Sequence, residues 1–338
     1  MNDNMPAIVP NLSADIYHSQ PGVGSSFLKA FMRSPAHAYA QYLDPDRVPT
    51  DKKAFRIGRA WHCAVFEPAE FDARYCADHD VNKNTTKAKL LSVVLDNPAE
   101  LTRMVSIPDA LKPTTKEGKL LWAEQEAAGM IPVTESDFAW IAVEAERMGG
   151  KDSLSAEKLA DVQQAAQIAR SWPISRVLFD QLAEHGAAEH SMLWAGHPSG
   201  VFIKIRPDYM IRPCPMFPNG LIIDGKSAKD ASAAFGRAVW NYDYGLQAYL
   251  YATVFQAVMK TAERPAFMWL AQEMERPFAG RYYGAKPSLI DHYGPIVEGL
   301  LDRVAQCQRT GKWPGYPETV EELELPTYAQ KQIDEAAA

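Results

Sequence analysis

The chain has 338 residues, 47% of them hydrophobic, and a formal charge of −7 at pH 7. That is enough apolar material for one elaborated domain or two intimate ones, and no apolar run nears the length of a membrane span and no basic-then-apolar leader is expected. Cys63, Cys76, Cys214 and Cys307 are scattered without a Cys-x-x-Cys pair, which argues against zinc, disulfide and four-cysteine iron–sulfur frameworks and fits a reducing cytoplasm.

Net negative charge is awkward for a nucleic-acid binder, whose affinity rests on neutralising phosphates. The charge is unevenly spread, however. Lys29, Arg33, Arg47, Lys52, Lys53, Arg56 and Arg59 meet only Asp44, Asp46 and Asp51 in their stretch, and the tail after Pro317 is strongly acidic. Residues 1–23 read as a loose arm. Ser25-Ser26 ahead of Phe27, Leu28 and Phe31 reads as a helix N-cap. Its free backbone amides, with Lys29 or Arg33, can receive a phosphate; the other reading is an ordinary cap on a core helix. Ser34-Pro35 restarts a helix through Tyr42. Residues 54–66 form a predicted helix bearing His62, which beside Trp61 and Cys63 reads by itself as a buried, hydrogen-bonded core histidine.

Residues 78–187 read as a mostly helical insertion that shapes a groove. Residues 82–89 are a polar, basic loop, and helical periodicity covers 116–128, 135–148, 156–169 and 174–182. Met130-Ile131-Pro132-Val133 is an edge-strand candidate and Gly149-Gly150-Lys151-Asp152 a flexible joint. No internal repeat or low-complexity segment is present.

The chemistry concentrates later. Val201, Ile203 and Ile205 alternate with Phe202, Lys204 and Arg206, a strand ending at Pro207-Asp208. A proline-rich turn follows, from Arg212 to Gly220. Leu221-Ile222-Ile223 is then a short buried strand that delivers Asp224. Side chains two apart on a strand share a face, so Asp224 and Lys226 point together while Gly225 offers its carbonyl. If the two strands pair, Asp208 joins Asp224 in an all-oxygen pocket of the kind a hard cation such as magnesium prefers. Lys226 beside it can orient a nucleophilic water or neutralise a charged phosphorane, the chemistry of metal-dependent phosphodiester hydrolysis. Asp-x-Lys alone carries little, since Asp51-Lys52-Lys53 repeats it in a polar loop; the order of elements carries the signal. Residues 230–260 form a long predicted helix disturbed at Asn241-Tyr242-Asp243-Tyr244-Gly245. On it Gln247 and Tyr251, four apart, share one face, which spacing alone reads as a half-buried polar and aromatic pair. Strands at 265–274 and 277–283, a packing helix at 288–310 and a wrapping coil with Trp313-Pro314-Gly315-Tyr316 follow, and the last dozen residues are expected to be disordered.

The pattern Glu189…Arg206-Pro207-Asp208…Asp224-x-Lys226…Gln247-x-x-x-Tyr251 resembles the PD-(D/E)xK nuclease superfamily and, within it, the RecE-type (exonuclease VIII) DNA exonucleases of phages and prophages. Tyr17-His18, Ser25-Ser26-Phe27-Leu28-Lys29, Ser34-Pro35-Ala36-His37, Gly58-Arg59-Ala60-Trp61-His62, Lys116-Glu117-Gly118-Lys119 with Trp122, and Trp313-Pro314-Gly315-Tyr316 extend the resemblance over residues 11–317. Gly225 departs from it, standing where such families usually carry an apolar residue, and is expected to weaken the packing of its strand.

The resemblance implies an α/β restriction-endonuclease-like core, a mixed central sheet flanked by helices, in one nuclease domain. Its parts would be an N-terminal helical part at 1–77, the insertion at 78–187, a catalytic core at 188–285 and a C-terminal helix and tail at 286–338. It implies an exonuclease acting 5′ to 3′ from ends of double-stranded DNA with Mg2+, Mn2+ being a substitute. Asp208, Asp224 and the Gly225 carbonyl would hold metal, with His62 in or next to that shell and Glu189 ordering a water or second ion. Lys226 would activate the attacking water, and Gln247 and Tyr251 would align the DNA backbone. It also implies a single-strand-annealing partner, a ring-shaped homo-oligomer such as a tetramer, and a place in a bacterial host's cytoplasm. An endonuclease or single-strand-specific nuclease on the same core is the alternative. A non-catalytic DNA-end-binding recombination protein is another, against which the intact Asp208, Asp224 and Lys226 argue. No nucleotide-binding P-loop, dinucleotide fingerprint, Gly-x-Ser-x-Gly elbow or His-Glu-x-x-His pair occurs.

Overall fold

The computed structural model describes residues 8–10, 12–47, 53–322, 324–325, 329 and 333–336. Asp51 and Lys52 of the second Asp-x-Lys triplet and most of the last dozen residues lie outside the described residues.

The fold is organised around the strand Leu221–Ala228, whose first three residues are apolar and buried. It pairs in parallel with Ala266–Glu273 and antiparallel with Tyr209–Ile211. Gly186–Ala188 and Gly280–Gly284 complete a five-stranded mixed sheet as its two edges. Parallel neighbours need a crossover, and the helices Phe235–Asn241 and Tyr244–Met259 provide it. Alternate side chains of the central strand face opposite cores. Ile222 packs with Leu246, Leu250 and Val254 of the crossover helix and with Leu301 and Val304 of the helix Gly294–Thr310. Leu221 and Ile223 face the other way, against Trp61 and Phe66 of the helix Lys53–Phe66 and Val162 and Ala165 of the helix Ala156–Ser171.

The strand expected to run from Val201 to Asp208 is divided. Ile203–Ile205 belongs to a small antiparallel sheet with Ser191–Trp194 and Ile8–Val9, whereas Tyr209–Ile211 joins the large sheet. The chain changes sheets at Arg206-Pro207-Asp208, where proline has no N–H for either ladder. The strand carrying Asp224 is also longer than expected, because its parallel partner continues the ladder to Ala228.

Residues 12–23 are not a loose arm. They contain the helix Ala14–Ser19, and Val23 bridges Ile203. The reason is Lys204, whose Nζ donates to the carbonyls of Tyr17 (2.9 Å), His18 (3.3 Å) and Gln20 (2.6 Å). This is a cation placed where helix carbonyls lack partners. Lys204→Met should therefore cost about 1–3 kcal/mol and expose this segment to protease. Limited proteolysis beside a thermal melt checks it; parental cleavage kinetics would show that other contacts hold the segment.

Only the first part of the insertion expected at 78–187 has a core of its own, made by Cys76, Leu91, Val94, Met104, Val133, Ile141 and Met148, because residues from Leu154 onward pack into the core around Lys53–Phe66. Two short parallel pairs frame it, Tyr75–Ala77 with Asp152–Leu154 and Met104–Ile107 with Ile131–Thr134. The expected loop at 82–89 is partly helical. Thr85 accepts a hydrogen bond from the Ala88 N–H and starts the helix Thr86–Asp96, which buries Leu91 and Val94. The next helix, Ala156–Ser171, packs into the core around Lys53–Phe66, with Arg170 donating to the Val65 carbonyl at 2.7 Å. All four cysteines are free and buried. Among the described residues no helix is long and apolar enough to cross a membrane. Near the C-terminus Trp313 packs edge-on against Phe27 and Phe31, wrapping the coil onto the helix Ser25–Arg33.

Candidate active site

The change of sheets puts Asp208 beside the central strand, where its Oδ2 accepts the Gly225 N–H at 2.6 Å. In a strand the N–H and C=O of one residue leave by the same edge, so the Gly225 carbonyl emerges toward Asp208. His62 comes from the other side of the sheet, with Nδ1 3.2 Å from Asp208 Oδ1. Its helix can approach because Gly225 has no side chain. A Cβ there would meet Phe66 at 2.8 Å and Trp61 at 2.9 Å. The glycine expected to weaken this strand is thus what lets the histidine helix close on it. Trp61 is fixed in turn by its Nε1–H, which donates to Gln272 Oε1 at 2.6 Å.

Glu189 follows the edge strand Gly186–Ala188 with φ 52°, a left-handed conformation that is unfavourable for a residue with a side chain. Its N–H donates to the Asp208 carbonyl (3.2 Å), and its Oε2 lies 2.5 Å from Arg206 Nε. One donor atom from each of His62, Glu189 and Asp208 falls within 4.8 Å of the other two.

Asp224 and Lys226 form a second cluster on the opposite face. Asp224 is 1% exposed. Its Oδ1 accepts from Gln247 Nε2 at 2.6 Å, and its Oδ2 ion-pairs with Lys226 without an aligned hydrogen bond. Lys226 Nζ also donates to Gln247 Oε1 (3.2 Å) and lies 4.8 Å from the centre of the Tyr244 ring. Tyr251, one turn after Gln247, is buried and donates to the Arg206 carbonyl at 3.3 Å. The phenol therefore holds the Arg206-Pro207-Asp208 turn.

Burial raises the Asp208 carboxyl, but His62, Lys226 and the Gly225 amide outweigh it and hold the group below its ordinary range. Burial lowers His62, and Asp208 reverses this to leave it raised. Burial pushes Asp224 up, with Asp208 adding to the effect against Lys226. For Lys226 burial is unfavourable, and Asp224 and Asp208 overcome it, so the ammonium is kept charged.

Glu189 is pushed from 4.5 up to about 7, first by burial and then by Asp208. The fold thus holds a proton that the unfolded chain releases near 4.5, and this group's contribution to stability is lost as pH rises through about 7. With cations chelated, Glu189→Gln should raise the melting temperature relative to the parent at pH 8 and have little effect at pH 4. Melts at the two pH values test this, and a variant that melts below the parent at both would refute it.

The four proposed DNA contacts do not converge as a set. The cap of the helix Ser25–Arg33 is Gly24, with no side-chain cap bond, and Ser25 is already helical and buried. A glycine takes the cap because a Cβ there would lie 3.3 Å from the Lys204 carbonyl. Ser26 is exposed at the same end, while exposed Arg33 lies seven residues on, about 10 Å along the axis. Lys29 instead turns toward the Asp224–Lys226 cluster. It donates to the Tyr242 carbonyl at 2.7 Å and sits 5.1 Å from the centre of the Tyr244 ring, which Lys226 also faces. Burial and the neighbouring Lys226 pull Lys29 down to about 8.

Spacing did not reveal Tyr244, Tyr17 or the grip of Arg206 on Glu189. The Tyr17 ring lies under both Arg206 (5.6 Å) and Lys204 (5.0 Å), so the N-terminal helix covers the Arg206–Glu189 pair. The donors fit a divalent cation: two carboxylates and an imidazole close together, a strand carbonyl on the same edge, and a buried Asp224 Oδ2 without an aligned donor. Oxygen donors suit magnesium, and the imidazole shifts the preference toward manganese.

A family model described as a PDDEXK-like domain of unknown function (DUF3799) matches residues 24–119 and 135–326. The chain belongs to this PDDEXK-like family. The mixed sheet with Asp208 and Asp224-x-Lys226 is accordingly a PDDEXK-like nuclease fold, and the unmatched residues 120–134 fall inside the insertion. Among solved structures, a "putative exonuclease" from Eubacterium rectale aligns over 96% of this chain and 98% of its own, with TM-score 0.43 and 11% identity. The protein SSO0001 aligns over 66% of this chain and 85% of its own, with TM-score 0.28 and 12% identity. Likenesses this distant carry no argument about the PDDEXK-like chain's activity. No curated protein matches it.

Proposed function

We propose that this PDDEXK-like chain is a divalent-metal-dependent DNA exonuclease that hydrolyses phosphodiester bonds from duplex ends, 5′ to 3′, in phage-type recombination of the RecE kind. One observation supports this best. A cation-binding set (His62, Glu189, Asp208) and a lysine set (Asp224, Lys226, Gln247) meet across a single strand, with the Gly225 backbone between them. His62, Glu189, Asp208 and the Gly225 carbonyl would hold a magnesium or manganese ion, with Asp224 adjoining, and the ion would supply positive charge against phosphate oxygens. Lys226, kept charged by Asp224, donates a hydrogen bond to the attacking water and offsets negative charge as the phosphorus centre is attacked. Gln247 holds Asp224 and Lys226 in mutual register. Tyr251 and Arg206 fix the turn that presents Asp208 and the grip on Glu189.

A net charge of −7 gives weak long-range attraction for DNA. A closed homo-oligomer, a tetrameric ring, working with a single-strand-annealing protein is the assembly that keeps such an enzyme on its substrate. The test is digestion of linear duplexes labelled at either 5′ end or either 3′ end, with and without magnesium, beside closed circles. Label released from 5′ ends only in metal supports the reading. Cutting of closed circles shows an endonuclease, and no cutting in magnesium, or in manganese put in its place, removes the nuclease.

A further inference from the structure

Two of the largest exposed side chains sit at the break in the crossover. Trp240 is 66% and Tyr242 62% exposed. Single exposed aromatics need no explanation, but Tyr242 is joined to the active site through the chain's own geometry and Trp240 stands two residues before it. The helix Phe235–Asn241 stops at Tyr242, Asp243 takes a left-handed φ of 50°, and the helix starting at Tyr244 resumes. That strained link sets the Tyr242 ring 5.7 Å from the Tyr244 ring at 31°. Tyr244 lies 4.8 Å from the catalytic Lys226 ammonium, and Lys29 ties the arrangement together through the Tyr242 carbonyl. Aromatic surface therefore runs from Lys226 outward to solvent. Trp240, two residues before Tyr242, is a separate exposed ring, 6.1 Å from His292. Arg237 is exposed three residues before Trp240, hence on the same helical face.

Exposed rings beside cations suit a particular occupant. Each nucleobase has an apolar π face that stacks on an aromatic side chain irrespective of sequence, while its phosphate is drawn to nearby positive charge. Bases inside a duplex already cover those faces with one another, so only unpaired bases can use the rings. We propose that Trp240 and Tyr242 form a stacking platform for unpaired nucleobases of a strand entering the Lys226 site. The platform rests on the nuclease reading for its role and adds a preference for frayed or single-stranded ends. Arg237 and Lys29 supply charge to the strand's phosphates.

The experiment measures fluorescence anisotropy of a labelled single-stranded oligonucleotide and of a blunt hairpin, with cations chelated so that nothing is cut. Both rings are exposed, so Trp240→Ala/Tyr242→Ala should fold, and a melt confirms it. Single-strand affinity should fall about 5- to 100-fold, from loss of stacking at one or two bases, with a smaller change for the hairpin. Trp240→Phe/Tyr242→Phe, which keeps two aromatic faces, should restore most of it. Parental single-strand affinity in the alanine pair, or no oligonucleotide binding by the parent, overturns the platform. An alanine pair altered only in oligomer mass marks the patch as a self-association surface and overturns it too. The end-labelled digestion separates the two readings: a parent that binds oligonucleotides through these rings but cuts no DNA keeps the platform and loses the nuclease.

Discussion

Lys226→Ala should lower turnover about 10²–10⁴-fold while divalent-cation affinity is maintained or rises. The ammonium has two roles that the substitution separates. In the proposed mechanism it is a charged donor beside the reacting phosphate, so its loss falls on the transition state more than on binding. Toward the protein it neutralises Asp224, which is buried and otherwise held by Gln247. Without it the metal-free fold contains an uncompensated carboxylate, a defect that costs about 3–5 kcal/mol in buried pairs. A divalent cation replaces that charge and no longer competes with the lysine for Asp224. The variant should therefore melt below the parent in chelator and regain most of the difference in magnesium or manganese. Calorimetric cation titration, paired melts and a nuclease assay read the three effects. Full activity in Lys226→Ala would sink the mechanism.

Gly225→Ala should cost about 1–3 kcal/mol of stability and most of the activity, although it adds one methyl group to a residue that contributes no side chain to chemistry. The new Cβ would lie 2.8 Å from Phe66 and 2.9 Å from Trp61. Trp61 cannot easily give way, because Gln272, which accepts its N–H, also donates to the carbonyls of Ala165 (2.7 Å) and Phe278 (3.2 Å). Relief must come from the whole helix moving away, and His62 lies on that helix, between the two displaced rings. Thermal melts and turnover measure the damage. Phe66→Leu in the same chain should recover part of both by making room, a coupling that a double-mutant cycle isolates. An alanine variant with parental melting and turnover would show that the helix yields without cost.

The same glycine marks where sequence reading reaches its limit. Strand alternation around Ile203 and Ile223 is a local regularity, and with pairing of the two strands it places Asp208, Asp224 and Lys226 near one another as observed, whereas the spacing of Gln247 and Tyr251 by itself did not bring Gln247 to Asp224. The family likeness brought His62 to Asp208, which its own neighbours Trp61 and Cys63 did not suggest. What failed was set by distant contacts. Gly24, not Ser25, is the cap, at a position where a Cβ would lie 3.3 Å from the Lys204 carbonyl, far along the chain. Tyr209–Ile211 was missed because three residues between two prolines are too short to show a period. Whether Gly225 loosens or tightens its strand depends on which rings lie over it, and no local pattern contains that information.

Residues 78–151 leave and rejoin the rest of the chain through Tyr75–Ala77 and Asp152–Leu154, which lie side by side with Cys76 opposite Ser153. Paired strands are about 5 Å apart, so an excursion of some seventy residues begins and ends at nearly the same point in space. Loop-closure entropy grows only slowly with length, and the excursion carries its own core. Its size is therefore decoupled from the chemistry: this segment can grow, shrink or be exchanged over generations while His62 and Asp208 stay in register. The family match breaks off within it, at residues 120–134, away from His62 and Asp208.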